Sequence, residues 1–349
     1  MKEIFSKRLK SARVRANMSQ DDLVAKMDGL VSKNSISKYE KGLMMADAKI
    51  IIALARALDV KTDYFFRPFT VEIVHIEFRK KSKLKTKSVE AIKQMATDTI
   101  EKYLEIEQFL DITNEFKNPI ANFAITSKED VEEAVNTIRK AWQLGLSALP
   151  NVIDLLEDNE IKVVEADAPE AFDGFSGWAD SHIPVIVINK HYSIERKRLT
   201  VLHELGHLLL SLSNNLTQKE KEKYCFKFAG GMLMPKETFL KELGGQKRSG
   251  FSEPELIGIK ETYGISLQAI MARAKDLEVI TDAYYLGFQK RISRNRAEIG
   301  LGEYKGIEHS YRFMQLVYRA VTEEVISLSM AANLLNQKLA EFRKDFVAL

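Results

Sequence analysis

Apolar positions recur at three-to-four spacing through residues 4–16, 48–60, 88–110 and 196–210, and alternate through 70–80. The first pattern predicts helices and the second a strand. Ser19 is a fitting N-cap, and Asp22 takes the third helical position of a capping box, so a helix is expected from there to about Met27. Asp28-Gly29 signals a turn. A second start at Ser32 leads into Lys33–Lys41, a short helix closed by Gly42. Residues 48–60 and Asp63-Tyr64-Phe65-Phe66 complete a small bundle. In the strand, Val74, Ile76 and Phe78 would share one face and Val71 and Ile73 the other, with His75 packed or half-exposed. The cationic run Lys80–Lys87 reads as a solvated turn or a second phosphate contact.

Further on, Ser127 and Asp130 start a helix expected to reach Leu146, with Val131, Ala134, Ile138, Trp142 and Leu146 as its buried stripe. A short helix over 151–158 follows. Residues 161–164 and 183–189 read as strands, and the glycine-punctuated stretch 172–178 between them as a turn or edge strand. The edge of such a small mixed sheet would be ready to pair with an extended peptide. Residues 281–349 are expected to be mostly helical. Residues 322–335 have the cadence of a second helix-turn-helix-like unit, and Leu339, Phe342 and Phe346 continue an apolar stripe. A partner or dimer surface is the preferred reading there, and the basic cluster Arg291–Arg296 is only a weak nucleic-acid candidate.

Charge sharpens the N-terminal picture. Residues 1–68 hold 14 Lys/Arg against 8 Asp/Glu, a net +6, while the remaining residues are net −3. In the helix at 33–41, Ile36 and Tyr39 point one way, and Lys33, Asn34, Ser35, Ser37 and Lys38 form a small, polar, cationic face. Such a face fits a major groove, where Asn and Ser bond base edges and Lys reaches guanine or phosphate. The pieces MSQDDLVAKM, SKNSISKYEKG and IIALARALDVKTDYFF make residues 5–66 resemble an Xre-type, lambda-repressor-like helix-turn-helix domain. The resemblance implies that Lys33, Asn34, Ser35 and Lys38 face a double-stranded DNA operator and that Gln20 contacts phosphate. The chain departs from the family in Asp28-Gly29-Leu30, extra residues in the turn, and in Met44-Met45-Ala46, where a Pro-containing loop is usual.

The densest chemistry lies in RKRLTVLHELGHLLL, residues 196–210. His203-Glu204-Leu205-Gly206-His207 is an H-E-x-x-H pattern in an apolar helical run, and two of the chain's six histidines sit in it. Four residues apart, His203 and His207 project from one face, about 40° from each other. They can share one zinc ion, with Glu204 placed as general base toward water. A third ligand must come from elsewhere. Residues 217–229 begin polar and turn apolar, packing through Cys225, Phe228, Ala229 and Met232, and Pro235 ends them. Glu222 lies one turn before Cys225 on the inward side, so it is the preferred ligand; Glu220, rotated from it by about 160°, is held in reserve. The span 130–236 resembles the ImmA/IrrE family of zinc metallopeptidases, through Gly174-Phe175-Ser176, VIVIN at 185–189, RLTVLHELGHLLL and FAGGMLMP. In that family a Glu precedes a small residue by three positions, as Glu222 precedes Cys225; Phe226 stands where Asn is frequent. The resemblance implies a peptidase paired with an Xre-type repressor in a stress or mobile-element switch.

The expected architecture is multidomain. An all-α helix-turn-helix domain spans 1–68, and a connecting strand and helices span 69–126. An α+β zincin-like metallopeptidase domain spans 127–280, and a helical C-terminal region for interaction or dimerisation spans 281–349. The expected function is a DNA-binding transcriptional regulator with a zinc-dependent endopeptidase acting on a repressor-type protein, as a homodimer. The alternative is a non-proteolytic regulator whose zincin-like domain senses a ligand, metal or partner. No apolar run approaches bilayer length and the N-terminus lacks a signal-peptide pattern, which speaks against a membrane partner. The single Cys225 excludes an intramolecular disulfide and points to the cytoplasm.

Overall fold

A computed structural model describes residues 1–68, 71–78 and 85–346. The chain is multidomain: an all-α helix-turn-helix at the N-terminus, a mixed α/β middle with a small sheet, and a helical C-terminus. It forms two compact units. One comprises Met1–Ile73 and Lys80–Asp111, the other Val74–Arg79 and Ile112–Leu349.

The first unit opens with α1 (Lys2–Arg15), α2 (Gln20–Lys26), α3 (Lys33–Glu40) and α4 (Ala48–Leu58), then a 3-10 turn, Thr62–Phe66. Its starts are written in side chains. Ser19 accepts from the Asp22 amide in a complete capping box, Ser32 caps α3 through the Ser35 amide, and Asp47 caps α4 through the Ile50 amide. Each such cap contributes about 1 kcal/mol. Between α2 and α3 the chain reverses through Asp28 and Gly29, both in the left-handed region at φ 51° and 69°. Phe5, Leu9, Leu23, Ile36, Leu54 and Phe65 are fully buried at the centre.

Strand β1 (Ile73–Phe78) belongs with the second unit's sheet and precedes α5 (Thr86–Phe109), which packs on α1. The contact is polar as well as apolar. Arg8 is 2% exposed and donates to Glu101 Oε2 at 2.8 Å and to the Arg67 carbonyl at 2.9 Å. Asp98 takes Arg15 at 3.0 Å and the Tyr64 hydroxyl at 3.1 Å. Burial, with the Asp98 charge beside it, pushes the Tyr64 phenol up to about 12. Of the lysine run, residues 80–84 lie outside the described residues.

The second unit continues through β2 (Ala124–Ile125), α6 (Lys128–Ala141), α7 (Val152–Asp158), β3 (Lys162–Ala166), β4 (Gly174–Ala179), β5 (Ile183–Asn189), α8 (Ile194–Leu209), β6 (Ser211–Leu212) and α9 (Gln218–Leu233). Its sheet runs β1-β4-β5-β3. β3 and β5 are parallel; β4 is antiparallel to β5, with Ser176 opposite Ile186. Val185 to Ile188 are all buried, as a strand covered on both faces requires. α8 lies against β4, β5 and α9. Helices α10 (Lys236–Glu242), α11 (Glu253–Tyr263), α12 (Leu267–Asp276) and α13 (Asp282–Ile292) follow, then α14 (Arg312–Thr322), α15 (Leu328–Leu334) and α16 (Leu339–Asp345). Tyr318, Phe342 and Phe346 stack in parallel there, 5.6–6.0 Å apart. Of the expected stripe, Phe342 is buried while Leu339 and Phe346 are half-exposed. No helix among the described residues is long and apolar enough to cross a membrane.

Three local expectations are corrected. The helix expected to reach Leu146 stops at Ala141, because Gln143 and Gly145 turn left-handed at φ 56° and 59°; Leu146 is 47% exposed. His75 is exposed rather than packed, at φ 51°, which breaks the regular alternation of β1. The stretch expected as a turn or edge strand is β4, an interior strand whose outer side carries β1.

Candidate metal centre and helix-turn-helix surface

Ser193 caps α8, whose middle is buried on nearly every side, from Thr200 through Gly206. A helix so enclosed should be apolar throughout, yet His203 and Glu204 are each 1% exposed. Buried polar side chains need partners. The partner element is α9. Gly206 allows it close: a Cβ there would stand 3.2 Å from the Cys225 Cα. With the helices that near, Glu222 comes over the histidine face.

His203 Nε2 lies 3.1 Å from His207 Nε2 and 3.3 Å from Glu222 Oε2, and His207 Nε2 lies 3.5 Å from Glu222 Oε1. The three residues offer ligand atoms within 4.8 Å of one another. A tetrahedral zinc with bonds of about 2.05 Å separates its ligands by about 3.3 Å. The observed triangle therefore fits a small tetrahedral cation, and two imidazole nitrogens with one carboxylate suit zinc. The Cys225 thiol sits 3.6 Å from His207 Nδ1, on the ring's far side from the triangle, and the Phe226 ring lies 4.1 Å from that of His203. The reserve candidate Glu220 is elsewhere. It accepts from the Thr217 amide and hydroxyl as an N-cap box, and those bonds hold its carboxyl below the usual range.

Glu204 extends from the next position of α8 toward β4, where the Ser176 hydroxyl donates to its Oε2 at 3.1 Å. Gly174 lets the strand approach, since a Cβ there would meet the Val187 carbonyl at 2.8 Å and Glu204 Cγ at 3.5 Å. The role of Ser176 is not readable from its own type; the signal available was its place in Gly174-Phe175-Ser176. A second buried pair was not legible at all. Arg198 and Glu308, both with fully buried side chains, meet at 2.8 Å across 110 positions and tie α8 to the segment before α14.

On the first unit, α3 keeps Ile36 and Tyr39 inside and shows Lys33, Asn34 and Lys38 to solvent. Lys33 pairs with Asp21 at 2.7 Å, and Ser35, half-buried, exchanges a hydroxyl bond with Ser32 at 3.0 Å. Gln20 donates to Glu40 Oε2 at 2.8 Å, and Glu40 is gripped by Arg13 at 2.6 and 2.9 Å. An amide NH2 has two donor hydrogens, so this bond orients Gln20 while leaving the other hydrogen for a further acceptor.

Residues 9–65 match the helix-turn-helix family model, and residues 156–275 match the model of the IrrE N-terminal-like domain of M78 peptidases. The chain thus fuses an Xre-like helix-turn-helix to an ImmA/IrrE-like domain, the architecture of a DNA-binding regulator. A search of curated proteins and a search of solved structures gave no match.

Proposed function

We propose that the chain is a transcriptional regulator that binds an operator through α3 and hydrolyses a repressor-type protein at a zinc centre, in a stress or mobile-element switch. The observation that carries this reading is the triangle of His203, His207 and Glu222 beside the buried Glu204. Those three residues would hold zinc, which when bound lowers the pKa of water and polarises a scissile carbonyl. Glu204 receives the proton as general base and passes it to the leaving amine. Ser176 holds one Glu204 oxygen, so the carboxylate keeps its aim while the proton moves. Lys33, Asn34, Ser35 and Lys38 read the operator, Gln20 steadies a phosphate, and a homodimer places two α3 helices one turn of DNA apart. The domains behind these roles are 1–68 for the reader, 127–280 for the peptidase and 281–349 for partner contact, joined by 69–126.

The test is metal analysis of the full chain with an operator-binding assay. One zinc per chain is expected, lost on changing Glu222 to Ala but kept on changing Glu220 to Ala, with operator affinity equal in both. A chain that takes up no zinc would overturn the metal reading.

A further inference from the structure

The sheet beside Glu204 was expected to offer a bare edge to an extended peptide. In the structure the strand nearest the base, β4, has β5 on one side and the chain's own residues 73–78 on the other. β4 bonds directly to the metal-site helix through Ser176 and Glu204. A peptide presented to that base by main-chain hydrogen bonds would have to run along β4 on the side away from β5. That lane holds β1.

We infer that β1 is a tethered occupant of the peptide-binding edge of β4, and that the site takes an extended peptide with β-forming apolar residues only when β1 leaves. The inference rests on the proposed peptide-hydrolysing role of the same site. Three features of β1 fit a displaceable strand rather than a permanent one. It is an outer strand, bonded in the sheet on one side only. Its backbone is interrupted at His75, whose φ of 51° an L-residue adopts at a cost. Among its described side chains only Ile73 is buried; Val74 and Ile76 are half-exposed and His75 is exposed. By contrast β5, in the sheet centre, is buried from Pro184 to Asn189. The sequence Val71-Glu72-Ile73-Val74-His75-Ile76-Glu77-Phe78, alternating and β-branched, is itself the kind of peptide the edge should accept.

Proline offers a clean probe, because it removes one N–H from a strand. Ile76 and Glu77 are neighbours, so their N–H groups point to opposite sides of β1 and only one of them can face β4. Ile76→Pro and Glu77→Pro are each made in a full-length, zinc-loaded Glu204→Gln chain, which binds without cutting. Binding of a labelled synthetic peptide, VEIVHIEF, is followed by fluorescence anisotropy. One of the two proline variants should bind it at least tenfold tighter than the parent, and the other should match the parent. Amide exchange at Ser176 to Trp178 should quicken in the tight-binding variant alone and slow again with peptide. Equal affinity and equal exchange in all three chains would overturn the inference. Tight binding by the parent chain would also overturn it, since the peptide would then bind with β1 still in place on β4. Because the readout is binding, a chain that never hydrolyses peptides would still return one of these answers.

Discussion

The proposed reading helix α3 and the proposed metal helix α8 carry their candidate chemistry in opposite ways. α3 has a buried side of Ile36 and Tyr39 and an exposed side on which Lys33, Asn34 and Lys38 stand in solvent. Each residue there stands where the helix alone puts it. α8 carries His203 and Glu204 inside the protein, each 1% exposed, and its histidines have no third companion until α9 brings Glu222 across. The first surface is local and the second is assembled. Local surfaces should lose function in proportion to the residue removed, whereas assembled ones should fail through packing as well as through ligands.

The largest expected effect is at the assembled centre. His203→Ala should weaken zinc binding by more than about 100-fold, beyond what loss of an outer partner costs, with operator affinity unchanged. Competition with a chromophoric chelator measures it, and retained stoichiometric zinc at the same affinity would break the ligand assignment. Next comes the reading surface. Lys33→Ala with Asn34→Ala should cost about 1–3 kcal/mol for the base contact plus a phosphate-type loss. The salt dependence should flatten by about one ion for the lysine. Unchanged affinity in a gel-shift titration would remove α3 from the reader role. Gly206→Ala sharpens the contrast, since it touches no ligand. Its Cβ would press on the Cys225 backbone at 3.2 Å, so α9 must shift by a few tenths of an ångström and carry Glu222 with it. Roughly tenfold weaker zinc binding is expected, and no change would mean the triangle tolerates that displacement. The smallest effect belongs to Ser19→Ala. Removing the α2 cap should cost about 1 kcal/mol in the thermal unfolding of the first unit, while zinc binding stays as it was.

The same contrast explains what could be read in advance. The caps at Ser19 and Ser32, the Asp28-Gly29 turn and the inward positions Ile36 and Tyr39 are local, and local propensity states them. The H-E-x-x-H helix is legible from spacing, and the inward side of α9, marked by Cys225 and Phe228, is the one that brings Glu222 within 3.3 and 3.5 Å of the histidine nitrogens. Some misreadings are local backbone effects and others involve distant partners. Apolar spacing continued to Leu146, but two left-handed residues ended the helix first. Nothing in 172–178 tells that residues about 100 positions earlier will flank β4, because strand order is a tertiary fact. Arg198 and Glu308 pair across the same kind of distance, and a buried charge looks like any surface charge in a sequence.

The central claim is hydrolysis, and one measurement addresses it directly. Full-length chain with one zinc bound is incubated with an operator-bound repressor, beside a Glu204→Gln chain carrying the same zinc, and fragments are followed by mass spectrometry. The expected result is a discrete cut by the first protein and a rate at least about 100-fold lower for the second, the usual contribution of a general base. Zinc-loaded wild-type protein that leaves both the repressor and its own chain intact would contradict the account and leave a regulator that senses without cutting.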